Sequence, residues 1–114
     1  MTMQNVKPII VKDDETGMEY TLEFNRESVR FAEARGFKIN DVAEYPMTKI
    51  PELWYYAFRM HHKNVARAKT DALLDGLGGF PDGLLERLGE LYAEPFTALT
   101  DGQQEENPRV TVKL

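Results

Sequence analysis

Two adjacent histidines, His61 and His62, stand in the stretch LWYYAFRMHHKN (Leu53–Asn64) beside four aromatic residues and a methionine. Imidazoles ligate metals and move protons near neutral pH. A helical metal pair needs its histidines one turn apart, at i and i+4, so that both leave the same face. At i and i+1 they diverge by about 100°. No nearby glutamate, third ligand or serine nucleophile accompanies them. The acids Asp13, Asp14 and Glu15 lack the spaced oxygen donors of a calcium loop and are expected to be solvated turn residues. GLGGFPDG (76–83) offers glycines, but it follows a helical stretch and no Lys-Ser/Thr follows it, so it is not a phosphate loop. The chain has no cysteine, which removes disulfides, thiolate catalysis and cysteine-based zinc sites. No catalytic, cofactor-binding or metal-ligating constellation emerges, and a non-enzymatic protein without cofactors is expected.

The elements that would position these residues are legible from periodicity. IIVKDDETGMEYTLEF (9–24) reads as a β-hairpin with Met18, Tyr20, Leu22 and Phe24 on one face. Asn25 is a good N-cap for a helix over 26–35, with Phe24 and Val29 at the hydrophobic-staple positions and Gly36 as its C′ residue. KINDVAEYP (38–46) suggests a short helix or turn stopped near Pro46. Pro51 suits the first turn of a helix over 51–63. On that helix Leu53, Trp54, Tyr56, Ala57, Phe58 and Met60 span an apolar arc of about 200°. His61 falls inside the arc and His62 at its edge, so His61 is expected at the core or its boundary. Tyr55, Arg59, His62 and Lys63 take the other side. Tyr55, Arg59 and His62 are the candidate partner-binding residues, because Tyr and Arg are enriched at binding hot spots. Tyr55 and Arg59 are expected to be dispensable for the fold.

A helix over 65–77, with Asn64 before it, and a leucine-rich helix over 82–99 follow. In the latter Leu84, Leu85, Leu88, Leu91, Tyr92, Phe96 and Leu99 fill one arc, and Pro95 should kink or break it. The polar stretch DGQQEENP (101–108) then leads to RVTVKL (109–114). Its alternation puts Val110, Val112 and Leu114 on one face, as a third strand beside the hairpin or as a free tail. The fold class expected is α+β: one predominantly helical domain over 1–100 with an N-terminal hairpin, and a polar tail over 101–114.

With 114 residues, 42% of them hydrophobic, the chain can bury one real core. It has no long apolar run, so no signal peptide or membrane span is expected, and a cytoplasmic setting is the default. The net charge of −5 disfavours nonspecific nucleic-acid binding. The charge is uneven: Lys49, Arg59, Lys63, Arg67 and Lys69 cluster against one acid, Glu52, whereas Asp82, Glu86, Glu90 and Glu94 cluster around Arg87 alone. Solvated helix faces account for this, or homo-oligomerisation of basic face against acidic face.

Three segments carry a resemblance: YTLEFNRESVRFAEARGF, KIPELWYYAFRMHHKNVARAKTDALLDGLGG and the leucine-rich closing helix. From about Ile9 to Leu99 the order of elements resembles the tail assembly chaperones of long-tailed bacteriophages and prophages. In that family a strand ending in EF-N-R feeds a helix. A Leu-aromatic-Tyr-Ala helix follows, then a break and an Ala…Leu-Leu-Asp helix. The resemblance implies a protein of the bacterial host cytoplasm that binds the tape-measure protein, keeps it soluble and helps recruit tail-tube protein. It also implies, for some members, a longer frameshifted product. The alternatives are another phage structural or adaptor protein and a helical nucleic-acid-binding regulator built on 51–77.

Overall fold

Hydrogen bonding at the hairpin sets the start of the architecture. In the computed structural model, which describes residues 6–100 and 109–114, β1 (Ile9–Asp13) and β2 (Met18–Leu22) pair antiparallel, with Ile9 opposite Leu22 and Asp13 opposite Met18. Gly17 closes the turn at φ +76°, a conformation that costs glycine nothing, and donates its N–H to the Asp13 carbonyl at 2.7 Å. Val11, Asp13, Tyr20 and Leu22 are buried. Met18, expected on that face, is exposed, because it pairs with Asp13 at the tip of the hairpin. Asp13 is not a solvated turn acid either. Its carboxylate accepts from Lys69 Nζ at 2.7 Å and from the Glu15 N–H at 3.1 Å. The Lys69 ammonium, through that hydrogen bond, holds the Asp13 carboxyl below its ordinary range.

Helix α1 (Arg26–Ala34) is bounded as its sequence dictates. Asn25 Oδ1 accepts from the Ser28 N–H, and Ser28 Oγ accepts from the Asn25 N–H, a reciprocal capping box. At the far end Gly36, at φ +91°, lets its own N–H reach the Glu33 carbonyl and the Phe37 N–H reach that of Ala32. This Schellman arrangement satisfies two terminal carbonyls and turns Phe37 into the core.

A single turn, α2 (Asp41–Glu44), leads into α3 (Pro46–Ala57), and here the expected range 51–63 is displaced toward the N-terminus. Pro46 rather than Pro51 starts the helix, since its fixed φ suits the first helical position. Pro51 lies inside, where it removes one N–H that would have met the Met47 carbonyl. Met47 is 89% exposed, so solvent can serve that carbonyl. The helix ends at Ala57, before Phe58 and both histidines.

Helix α4 (Arg67–Gly76) has Ala66, not Asn64, at its N-cap position. Helix α5 (Leu84–Thr100) runs unbroken through Pro95, contrary to the expected interruption. Only the Leu91 carbonyl loses its helical donor there, which a helix of this length tolerates. Helix α3 lies against α1, α4 and α5, with Leu53, Trp54, Tyr56, Ala57 and Phe58 buried between them and the hairpin. The described chain is thus α+β, five helices and one two-stranded sheet. Residues 109–114 form no third strand; Val110, Val112 and Leu114 are exposed. Among the described residues, no helix is long and apolar enough to cross a membrane.

Trp54 ties α3 to α4: its buried indole N–H donates to the Thr70 carbonyl at 2.8 Å. Trp54→Phe should keep a ring in the core but delete the donor and leave a void. The expected loss is about 2 kcal/mol or more, combining an abandoned buried hydrogen bond with lost packing. Denaturant unfolding checks it through a lower midpoint at unchanged slope.

Candidate functional site

The residues singled out from sequence lie along the seam where α3 gives way to the segment 58–66. The seam is built from two hydrogen bonds. In a continuing helix the Ala57 carbonyl would accept from the His61 N–H. Instead it accepts from the Glu23 N–H of the strand's extension at 3.1 Å, and the Phe58 N–H closes a tighter turn on the Tyr55 carbonyl. The chain then crosses β2, and His62 Nε2 accepts from the Thr21 N–H at 2.9 Å. His62 also meets the Tyr20 ring edge-on, centroids 5.1 Å apart.

The two histidines therefore exchange the places expected of them. His61, assigned to the core or its boundary, is exposed and pairs with Glu23 at 2.7 Å, whereas His62 packs onto β2. The reason is the early end of α3: helical angles assigned beyond Ala57 do not apply. Their rings lie 6.3 Å apart, and no cluster of three potential metal ligands forms among the described residues.

Tyr55, Arg59 and His62 do not converge on one surface either. Arg59 lays its guanidinium over the Phe31 ring, 3.6 Å from the centroid, and reaches Glu27 at 3.4 Å. Its Nε is buried with no hydrogen-bond partner. Tyr55 is half-buried beside Tyr56, with Arg67 5.6 Å from its ring centroid. All three side chains are engaged within the fold, so Arg59 is not the dispensable surface residue that helical angles suggested.

The basic segment is similarly engaged. Lys49 meets Glu52 at 3.3 Å, Arg59 meets Glu27, Arg67 meets Asp71 at 3.0 Å and Lys69 meets Asp13. Four of the five cations of this segment are thus paired within the fold, and Lys63 alone has no ion-pair partner among the described residues.

A different surface stands open. The apolar arc of α5 buries Leu88, Leu91 and Tyr92, then outruns the body. Phe96 is 68% exposed and Leu99 58%. Beside them lies a groove of about 400 Å³ between α5 and the start of α1, lined by Phe24, Pro95, Ala98 and Leu99 and rimmed by Arg26 and Glu94. Sequence reasoning assigned Phe96 and Leu99 to the packed arc. Periodicity reports which face a residue takes, not whether a neighbour covers that face.

The chain belongs to the DUF5055 family, described as a domain of unknown function, which it matches over residues 1–114. No curated protein and no solved structure matches it.

Two outcomes follow from the seam. Burial, aided by the charge of His61, lowers the His62 pKa, and its Nε2 is an acceptor only while unprotonated. The unfolded chain takes up this proton first. Its contribution to stability is thus complete above the ordinary pKa of about 6.5 and is lost as the pH falls through the lower folded value. Chemical denaturation at pH 7 and pH 5 should show this loss, and His62→Gln, which retains an acceptor that does not titrate, should diminish it. Arg59→Ala should cost about 1 kcal/mol through the lost guanidinium–ring contact, lowering the melting temperature by roughly 4–8 °C. Arg59→Lys should fail to restore it fully, because an ammonium cannot lie flat on Phe31.

Proposed function

We propose that this chain is a non-enzymatic assembly chaperone for the tails of long-tailed phages, which binds the tape-measure protein and helps recruit tail-tube subunits. The observation that carries the proposal is the unpartnered half of α5, where Phe96 is exposed and Leu99 lines a largely apolar groove with one cation and one carboxylate on its rim. A long helical client presents apolar residues one turn apart with charges beside them. Such a helix is the natural occupant of a groove of this kind. The order of the hairpin and helices, which resembles that of the tail chaperones, supplies the identity of the client.

Magnitudes favour a transient holder. Covering Phe96 and Leu99 contributes about 1.5–3 kcal/mol each. Association costs an estimated 4–15 kcal/mol in lost freedom. One groove on one site therefore holds weakly and lets go, and several copies along one client hold much better than any single copy. That behaviour suits a protein that must shield a client and later leave it. The nucleic-acid alternative would need a free basic face, and four of the five cations between Lys49 and Lys69 already meet carboxylates.

Co-expression with the cognate tape-measure protein tests the proposal. The parent chain should raise the soluble yield of the client and co-purify with it. Phe96→Ser with Leu99→Ser should abolish both effects while leaving the melting temperature within a few degrees, because these side chains are exposed. A parent chain that neither solubilises nor retains the client would overturn the assignment.

A further inference from the structure

The two edges of the hairpin are not equivalent. In an antiparallel pair, residues opposite each other alternate between those that bond each other and those whose N–H and C=O point away. Thr21 points away, since its N–H goes to His62, and so must its partner Ile10. Two residues on, Lys12 does the same. On the β2 side two of the outward N–H groups are covered, that of Thr21 by His62 and that of Glu23 by the Ala57 carbonyl, whereas Glu19, opposite Lys12, has no such cover among the described residues. On the β1 side, among the described residues, the outward backbone groups of Ile10 and Lys12 have no partner. The opening is bounded at its start by Pro8, which has no N–H, and by Arg87 Nη1, which donates to the Lys7 carbonyl at 3.2 Å.

Alongside this open edge runs a cleft of about 460 Å³, walled by Trp54, Leu77 and Leu84 with Asp82 on its lining. Ile10 is 57% exposed there. The same chain carries a segment without a home. Arg109–Leu114 alternates apolar and polar residues, contains two β-branched valines, and leaves Val110, Val112 and Leu114 exposed. Its six residues suffice to run alongside the five of β1.

We propose that the β1 edge of one copy receives the Arg109–Leu114 segment of a second copy as a third strand. The occupant is a second copy for a geometric reason. The cleft lies at the Leu84 end of α5, and the helix carries the chain about 24 Å away from it to Thr100. The eight residues from Asp101 to Pro108 span at most roughly 26–29 Å when drawn out straight. A return within one chain would use nearly all of that reach, whereas a neighbouring copy meets no such limit. The added strand completes the hydrogen bonds of Ile10 and Lys12 and lays alternate apolar side chains against the cleft wall. Because each copy gives one strand and receives one, association closes either as a reciprocal pair or, head-to-tail, as a larger ring. It also supplies the row of grooves that a long client would meet, although the proposal stands without the chaperone assignment.

Sedimentation velocity of the full chain, followed over concentration, should show a dimer or a larger closed species in place of the monomer. A chain ending at Pro108 keeps the edge but lacks the strand. Ile10→Pro keeps the strand but removes one outward N–H without touching a hairpin bond. Each should be monomeric alone, and mixing the two should give a 1:1 dimer that goes no further. Val110→Asp with Val112→Asp, whose folded body is untouched by circular dichroism, should also be monomeric. Phe96→Ser with Leu99→Ser should oligomerise as the parent does, which separates this surface from the client groove. A full chain that remains monomeric at every concentration, oligomers that survive the paired aspartates, or a mixture that stays monomeric would each overturn the proposal.

Discussion

The bond from the Glu23 N–H to the Ala57 carbonyl, 3.1 Å long, is the constraint from which most of the architecture follows. It takes the carbonyl that would have carried α3 onward, and so ends that helix beneath the hairpin. It also opens the course along which residues 58–66 cross β2 and bring His62 to Thr21. A buried backbone group must find a partner, and here the strand's unpaired N–H and the helix's last carbonyls satisfy one another. Sheet and helices are thereby joined by backbone as well as by side-chain packing.

That join makes the sheet one-sided. The β2 edge lies under the end of α3, and the β1 edge faces a cleft. A two-stranded ribbon has little stability alone, so its inward face must rest on helices. Val11, Tyr20, Leu22 and Phe24 do so, against Phe58, Trp54 and Tyr92. Aromatic rings meet edge-on or tilted through this core, with Phe37 linking Tyr56 to Tyr92. Burial raises the Tyr92 phenol to about 12, so it remains neutral across any physiological range. The dense aromatic stretch around Trp54 is thus a packing centre, and the open surfaces lie elsewhere, at the β1 edge and on the outer half of α5.

The placement of charge follows the same division. Two cations of the central segment fold back onto carboxylates from distant parts of the chain, Lys69 onto the hairpin and Arg59 onto α1, while Lys49 and Arg67 pair one turn along their own helices. The acids of α5 have no ion-pair partner among the described residues. The outer part of that helix presents Phe96 and Leu99 with a single acid, Glu94, beside them and Arg26 across the groove.

The sequence by itself determined everything that depends on neighbours a few residues apart. Asn25 had to cap a helix, Gly36 had to end it, and the alternation through Tyr20, Leu22 and Phe24 had to make a half-buried strand. These are local matters of hydrogen-bond reach and allowed φ. The helical arc was legible in Leu53, Trp54, Tyr56 and Ala57 for the same reason. What only the tertiary structure decided was where contacts distant in sequence override local preference. Phe58 to Lys63 continue the helical pattern, yet the helix stops at Ala57 because Glu23, more than thirty residues away, claims its carbonyl. His61 and His62 change places as a consequence, and Arg59 turns onto Phe31. Phe96 and Leu99 continue the same arc as Leu88 and Leu91, and their exposure depends on where the other helices end. Periodicity specifies a face; only the assembled neighbours determine whether that face is covered.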